Sequence, residues 1–428
     1  MLGSLANAWK IPELRQKLFF TAAIIALYRL GAHVPLPGIN REALATGIQT
    51  GQNAITGLFG VFTGGAFNNL SVFSLGIMPY ITAAIVMQLM TVAIPRLQEL
   101  AKEGETGQQK ITQYTRIFTL ALAFLQAIAM ALYFRSGQLG NVLAGATVIN
   151  VFLVIVTLTT GVMLLMWMGE LISQRGLGNG ISLIITVSIL SQAPNAIRAL
   201  IEDGNVLAMV VLGLIALLIV TAIVFVNEGQ RRIPITYAKR QVGRRMTQGG
   251  TTYLPLKVNM AGVIPIIFAS SLLLFPVVLG QLAAGQAQDS IIRQVADFFA
   301  PGSPAYLILF ALLIVMFTYF YTAVQFNPVE HADNLKKSGG YIPGIRPGQP
   351  TAVYLNNVLT RITLFGAIFL AAIAVVPYMI TPALGLPNSV FLGGTSMLIV
   401  VGVSLDTVRQ LESQLMMRNY EGFLRKQR

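Results

Sequence analysis

Cysteine is absent from this 428-residue sequence, which removes disulfides, thiolate metal sites and cysteine nucleophiles together. Histidine occurs only as His33 and His331, far apart in the chain, so a histidine-based metal site has no support. Charged residues make up only 11% of the chain, against 55% hydrophobic. No GxxxxGK[ST] loop, HExxH pair or GxSxG elbow occurs, and no nucleophile and base can be assembled into an intramembrane enzyme. No cofactor is expected.

The long apolar runs account for a mean hydropathy of +0.70, too high for an ordinary soluble domain. Ten stretches have spanning length: Leu18–Leu36, Ser71–Ile94, Ile117–Phe134, Val148–Met168, Ile181–Leu200, Val206–Val226, Met260–Leu279, Ala305–Phe326, Ile362–Ile380 and Val390–Leu405. The expected fold is an all-α polytopic membrane protein with ten transmembrane helices. The opening MLGSLANAWKIPELRQK lacks a continuous apolar core and a small-residue cleavage site, so the first span is expected to act as its own insertion signal.

The net charge of +13 is distributed by side. With the N-terminus in the cytoplasm, the opposite loops hold only Arg41, Arg135, Arg198 and Arg293, and Arg29 lies inside the first span. All other basic residues of the 29 fall on the cytoplasmic side. This is the positive-inside pattern, so both termini are expected in the cytoplasm and nucleic-acid readout is a poor explanation for the charge.

Division at the short polar turn Gln192–Asn205 gives five spans on each side, and an odd number forces the second half to run inverted. The boundaries are 1–195, a hinge at 196–205, and 206–428. Gly76-Ile77-Met78-Pro79 and Gly262-Val263-Ile264-Pro265 open the second span of each half, as expected of an inverted repeat, although glycine and proline are common in membrane helices.

Residues 57–70 are apolar, too short to span, and interrupted by Gly64-Gly65 and Asn68-Asn69. Such backbone survives at membrane depth only inside protein or beside a water-filled cavity, so the segment reads as a re-entrant element, with an interfacial helix as the alternative. Ser71–Ile94 follows it as a complete span softened by Gly76 and Pro79. Ile77 and Ile81, like Ile181 and Ile185, share a helix face; they can form an apolar constriction or merely pack. Arg29 can snorkel toward the outer interface, Glu170 lies near Arg175, and Asp406 can pair with Arg409.

Two cytoplasmic loops exceed what topology needs. The first, 227–258, carries Arg231, Arg232, Lys239, Arg240, Arg244 and Arg245; the second, 327–361, carries Lys336, Lys337 and Arg346 amid glycine and proline. Both fit docking surfaces for a large acidic or ribonucleoprotein partner, or orientation charge attracted to anionic lipid.

The segments IPELRQK, YRLGAHVPLPGI, LGIMPYI, KEGETGQQKITQYTR, LMWMGELISQRGLGNGIS, GQRRIPITYAKRQVGRR, LPLKVNMAGVIP, FNPVEHADNLKKSGGYIPGIRPG and GGTSMLIVV, in this order, resemble the bacterial SecY family, the channel subunits of the general secretion translocon. Val329 and Leu392 depart from common versions, at a position often basic and at one often aromatic. The resemblance implies two inverted five-helix halves closing like a clamshell, with a plug at about 56–70 that includes Thr56, Gly64, Gly65, Asn68 and Leu70. It implies a pore ring of Ile77, Ile81, Ile181, Ile185, Ile267 and Ile399. A lateral gate between the second, third, seventh and eighth spans would include Gln88, Pro79 and Pro265. The implied function is a protein-conducting channel of the bacterial cytoplasmic membrane. SecE and SecG would be its small subunits, the SecA motor ATPase and the ribosome its docking partners, and signal-sequence-bearing polypeptides its substrates. A secondary transporter, the other reading compatible with inverted repeats, would need charged groups converging at the midplane, and these are scarce.

Overall fold

The computed structural model describes residues 11–39, 60, 63–135, 147–202, 206–237, 240–242, 245–247, 250–283, 298, 303–383 and 394–425. The chain is predominantly helical. Helix α1 (Pro12–Gly31) opens on a proline, whose missing N–H costs nothing in a first turn, and carries Glu13 at its start and Arg29 at its end, each matched to the helix dipole.

Helix α2 (Met78–Ala93) is shorter than the Ser71–Ile94 span expected from hydropathy. At 1.5 Å per residue its 16 residues rise about 24 Å, less than the roughly 30 Å hydrocarbon core. Residues 71–77 instead form successive turns, Ser74 N–H donating to the Ser71 carbonyl and Gly76 N–H to that of Phe73. Gly76 has φ +58°, a left-handed conformation, and Pro79 occupies the second helical position, so a helix can start only after Gly76. Hydropathy registers those turns as span because they are walled by protein. At the other end Ile94 precedes Pro95 and is extended, and helix α3 (Pro95–Lys102) leaves α2 at 98°.

Helices α4 (Glu105–Arg135) and α5 (Val148–Arg175) pack along most of their length. The buried face of α4 reads Gly107, Ile111, Thr115, Thr119, Ala123, Ala127 and Ala131; its first glycine packs on Leu100 of α3 and its alanines on α5. A period of four puts these residues on one ridge, and small side chains let Val154, Leu158 and Val162 of α5 approach closely.

Helix α6 (Gly180–Glu202) corrects the expected turn at Gln192–Asn205: it continues through Pro194 to Glu202, and only 203–205 separate it from helix α7 (Val206–Glu228). Proline is tolerated within membrane helices, where neighbouring groups satisfy the freed carbonyl.

The first basic loop is largely sheet. Strand β1 (Gln230–Tyr237) pairs antiparallel with β4 (Thr251–Lys257), Ile233 opposite Leu254, and β2 (Arg240–Val242) pairs with β3 (Arg245–Thr247) beyond them. Helix α8 (Ile264–Ala283) follows, then α9 (Pro304–Gln325), α10 (Pro328–Lys337), strand β5 (Gly340–Tyr341), α11 (Gln349–Ala383) and α12 (Gly394–Arg425). The second basic loop is therefore narrower than 327–361, because α11 is helical from Gln349. β5 adds to the free edge of β1, giving the order β4-β1-β5. Two loops read separately in sequence thus form one body, packed through Ile233, Leu256 and Ile342 on Phe326, Leu355 and Leu359.

Five helical stretches among the described residues are long and apolar enough to cross a membrane alone, and the bent α2–α3 pair makes a sixth candidate. Apolar helices at Gly180–Asn195 and Ile264–Leu273 are shorter. Exposed Leu214, Leu217, Leu218 and Phe225 on α7 suit lipid contact. The chain is a multi-pass membrane protein. Helix α8 packs on α2 and α9, and α12 packs on α6 and α7.

The two Gly-x-x-Pro motifs adopt the same local structure. Gly262 has φ +63°, and Pro265 takes the second position of α8 as Pro79 does in α2. The N–H of Ile81 donates to the Ile77 carbonyl, and that of Ile267 to the Val263 carbonyl, at 3.1 and 3.3 Å. Each motif also follows an antiparallel pairing. Leu36 and Val72 donate to the Leu70 and Val34 carbonyls in the first case; β1 and β4 pair in the second, closed by Val258 donating to Gly229.

Candidate functional site

Helices α2, α6, α7, α8, α9, α11 and α12 all contribute to one apolar cluster, and four of them bring isoleucines of the expected ring into it. Ile77 at the start of α2, Ile81 one turn on, Ile185 of α6, Ile267 of α8 and Ile399 of α12 are all buried within it, and Ile181, half-buried, packs against it. All six isoleucines expected as a ring are thus brought together.

Local sequence accounts for their positions. Between α5 and α6, Gly178 is left-handed at φ +81°, and Asn179 Oδ1 accepts from the N–H of Ile181 and of Ser182, capping α6 where its first isoleucine appears. A Cβ on Gly180 would lie 2.0 Å from the Gly169 carbonyl oxygen, and one on Gly169 would lie 2.9 Å from Ile181 Cγ1, so two glycines let the helices cross backbone to backbone there.

Thr56 lies outside the described residues. Gly64, Gly65, Asn68 and Leu70 belong to a compact series of turns, in which Leu70 is the one non-glycine residue with positive φ (+39°) among the described residues. Asn68 is exposed and Leu70 buried. This segment lies beside the start of α2: a Cβ on Gly76, next to Ile77, would touch Thr63 Cγ2 at 3.0 Å, while Ala66 and Leu70 pack into two neighbouring clusters. Arg29 does not snorkel. Its Nη1 donates to the Gly64 carbonyl at 3.1 Å, as does Ser191 Oγ from α6, also at 3.1 Å. The Tyr28 hydroxyl is hydrogen-bonded with Ser188 Oγ and donates to the Thr63 carbonyl at 3.3 Å. Gln192 Nε2 reaches the Gly60 carbonyl at 3.4 Å.

These partners were missed in the sequence. Ser188, Ser191 and Gln192 at i, i+3 and i+4 of an apolar helix form a polar stripe, which is the signal that would have found them.

Pro79 and Pro265 are buried at the heads of α2 and α8. Gln88 is half-buried farther along α2, its carbonyl accepting from Thr91 Oγ1. The α2–α8 contact includes Met78 Sδ and Ser271 Oγ at 4.0 Å, and α8 also touches α4.

Among the basic residues, Lys239 and Arg244 lie outside the described set. Arg240 and Arg245 stand on β2 and β3, while Arg231, Arg232, Lys336, Lys337 and Arg346 are exposed on the sheet body and its flanks. Val329 is exposed on α10, and Leu392 lies outside the described residues. Both histidines have structural neighbours: His331 stacks on Phe326 at 4.2 Å, and His33 Nδ1 meets the Arg29 carbonyl.

Glu170 pairs with Arg116 of α4, not with Arg175. The guanidinium forks onto both carboxylate oxygens at 2.9 and 2.6 Å, joining α4 to α5. Arg116 is 41% exposed, so solvent weakens the pair. Arg116→Lys keeps the charge and loses the fork; it is expected to cost about 1 kcal/mol, read as a lower melting temperature in detergent. Midway along α12, Arg409 Nη2 bonds Glu228 at 2.8 Å and the Asn227 carbonyl at 2.9 Å, and Nη1 lies 3.7 Å from Asp406.

The family model SecY matches residues 71–408. The chain belongs to the SecY family. A protein translocase subunit SecY from Streptomyces scabiei is 47% identical over 99% of this chain and all of its own length, and that of Mycobacterium bovis is 46% identical over the same shares. Among solved structures, a protein-conducting channel superposes with TM-score 0.64 at 19% identity over 96% of both chains. A SecY whose plug domain is described as stabilising the closed state gives 0.63 at 18% identity, also over 96% of both chains. SecY membership makes the chain a translocase channel subunit, not an enzyme, and sets aside the secondary-transporter reading.

Proposed function

We propose that the chain is the gated conduit for unfolded polypeptides in the bacterial cytoplasmic membrane, with both termini in the cytoplasm. The observation that carries this reading is the convergence of Ile77, Ile81, Ile181, Ile185, Ile267 and Ile399 from four helices, with Thr63 of segment 63–70 beside Gly76, the residue before Ile77. Branched apolar side chains at a narrow waist block ions by dewetting and yield to a passing chain. Segment 56–70 acts as the plug. The halves 1–195 and 206–428 part about the short connection after Glu202, and α2 and α4 separate from α8 and α9 to admit an apolar signal sequence, with Gln88, Pro79 and Pro265 at that seam. The matching Gly76/Gly262 geometry supports the inverted arrangement of the halves, which the division of ten spans into five and five requires. Each opening step is a population shift, driven by a ligand that prefers the open state.

The chain itself carries no ATP-binding loop, so the driving force comes from partners. The basic residues Arg231, Arg232, Lys239, Arg240, Arg244 and Arg245 of the first loop, with Lys336, Lys337 and Arg346 of the second, dock the SecA motor or the ribosome. SecE and SecG brace the bundle, and anionic lipid meets the basic face. A Sec61 channel described in a canine ribosome–channel complex shares the fold, at TM-score 0.61 and 18% identity. Arg346 is exposed, and its carbonyl accepts from Thr351 Oγ1. Arg346→Glu is expected to reduce motor-driven transport into inverted vesicles by about tenfold, equivalent to about 1.4 kcal/mol of docking, while membrane insertion of the channel stays normal. Undiminished transport would remove Arg346 from the docking surface.

A further inference from the structure

The polar groups around segment 63–70 are arranged in a way that sealing alone does not require. A cork held by apolar contact needs no cation, yet Arg29 of α1 points its guanidinium at the segment's backbone. The Gly64 carbonyl accepts from Arg29 Nη1 and from Ser191 Oγ, both at 3.1 Å. One residue earlier, the Thr63 carbonyl accepts from the Tyr28 hydroxyl, which also meets Ser188 Oγ. Tyr28 and Ser188 are 2% and 1% exposed, so these bonds lie where water cannot replace them.

The backbone is shaped to meet them. Gly64 and Gly65 are both left-handed, at φ +64° and +81°. A Cβ on Gly64 would stand 2.8 Å from Ser188 Cα, a backbone atom, so only glycine at 64 lets the segment settle this deeply on α6; a Cβ on Gly65 would meet only the movable end of Gln192, 2.7 Å away. Each of these donors precedes residue 203, on α1 or α6.

We propose that Tyr28, Arg29, Ser188 and Ser191 form a polar seat that fastens segment 63–70 to α1 and α6, so that unseating is a step with its own cost, distinct from the parting of α2 and α8. This rests on the reading of the segment as a plug. Carbonyls at a positive-φ glycine pair are held by donors built into the frame. When the segment leaves, these bonds break, and water must enter a site that is closed to it while the segment is seated, which favours its return.

The test uses the full chain with its partner subunits in sealed vesicles, with no signal peptide and no motor present. The absence of cysteine allows a single reporter thiol, at Ala66→Cys and in parallel at Thr63→Cys, positions 0% and 1% exposed. Labelling by a membrane-impermeant maleimide from the outer face reads the unseated fraction. Tyr28→Phe with Ser191→Ala is expected to raise the labelling rate about tenfold, corresponding to about 1.4 kcal/mol. Gly64→Ala, which keeps every donor and denies the approach, is expected to raise it at least as much. Ala127→Cys, buried between α4 and α5, is expected to stay protected in all variants, which separates unseating from general loosening.

Unchanged labelling in both seat variants would overturn the proposal, and so would equal acceleration at Ala127→Cys. Ion leakage after deletion of 63–69 tests the underlying reading separately. Raised leakage with unchanged labelling leaves a plug without this seat; unchanged leakage removes the plug, and the seat's role with it.

Discussion

Simultaneous replacement of Ile81, Ile185 and Ile267 with glycine is expected to raise the resting ion conductance of the channel about tenfold or more, a fall of at least about 1.4 kcal/mol in the barrier. These three come from α2, α6 and α8 and are 4%, 2% and 5% exposed within one apolar cluster. Glycine removes the whole branched side chain at each, leaving space for water where the present lining offers it no hydrogen bonds. An ion crosses a dry apolar neck poorly because it must shed its hydration, and a wetted neck removes that cost. Single-channel recording without a substrate reads the effect directly. Conductance equal to that of the unaltered channel would mean that the six isoleucines pack without sealing.

The second large effect concerns the frame that sets the neck. Gly180→Leu is expected to destabilise the protein by about 3 kcal/mol or more, the upper range for forcing atoms into a filled contact. A Cβ there falls 2.0 Å from the Gly169 carbonyl oxygen and 2.7 Å from Ile172 Cβ, and neither neighbour is the free end of a flexible chain. Helix α6 would have to lift from α5, carrying Ile181 and Ile185 with it. Thermal melting in detergent and the yield of monodisperse protein measure the loss. Gly213→Leu is the matched control, because nothing lies within 4 Å of a Cβ added there. Equal behaviour of the two variants would show that the α5–α6 crossing tolerates a side chain.

Much of the bundle was legible because hydropathy reports burial in lipid or protein. Pro304–Gln325 and Gly180–Glu202 fall close to the expected Ala305–Phe326 and Ile181–Leu200. The same signal misled at Ser71–Ile94, since residues 71–77 are apolar for protein contact and not for helix, and the left-handed glycine that delays the helix adds nothing to a hydropathy sum. The convergence of the isoleucines was not legible from spacing, which placed Ile77 with Ile81 and Ile181 with Ile185 but could not bring α8 and α12 beside them; the family resemblance supplied that. Arg29 was misread because a lone cation near a helix end suggests the interface, whereas its partner is a carbonyl 35 residues on. The pairing of β1 with both β4 and β5 escaped because β5 is only two residues long and lies beyond the three described helices α8, α9 and α10.

That shared strand limits how the molecule can be re-engineered. Removing Gly340–Tyr341 would bare one edge of β1, and trimming the hairpin would strip the other, leaving backbone amides open to pairing with foreign chains. Chimeras between relatives that exchange one basic loop alone would mismatch two edges cut for each other. Transplanting both, from Gln230 through Gln349, keeps the three strands in the company they evolved with.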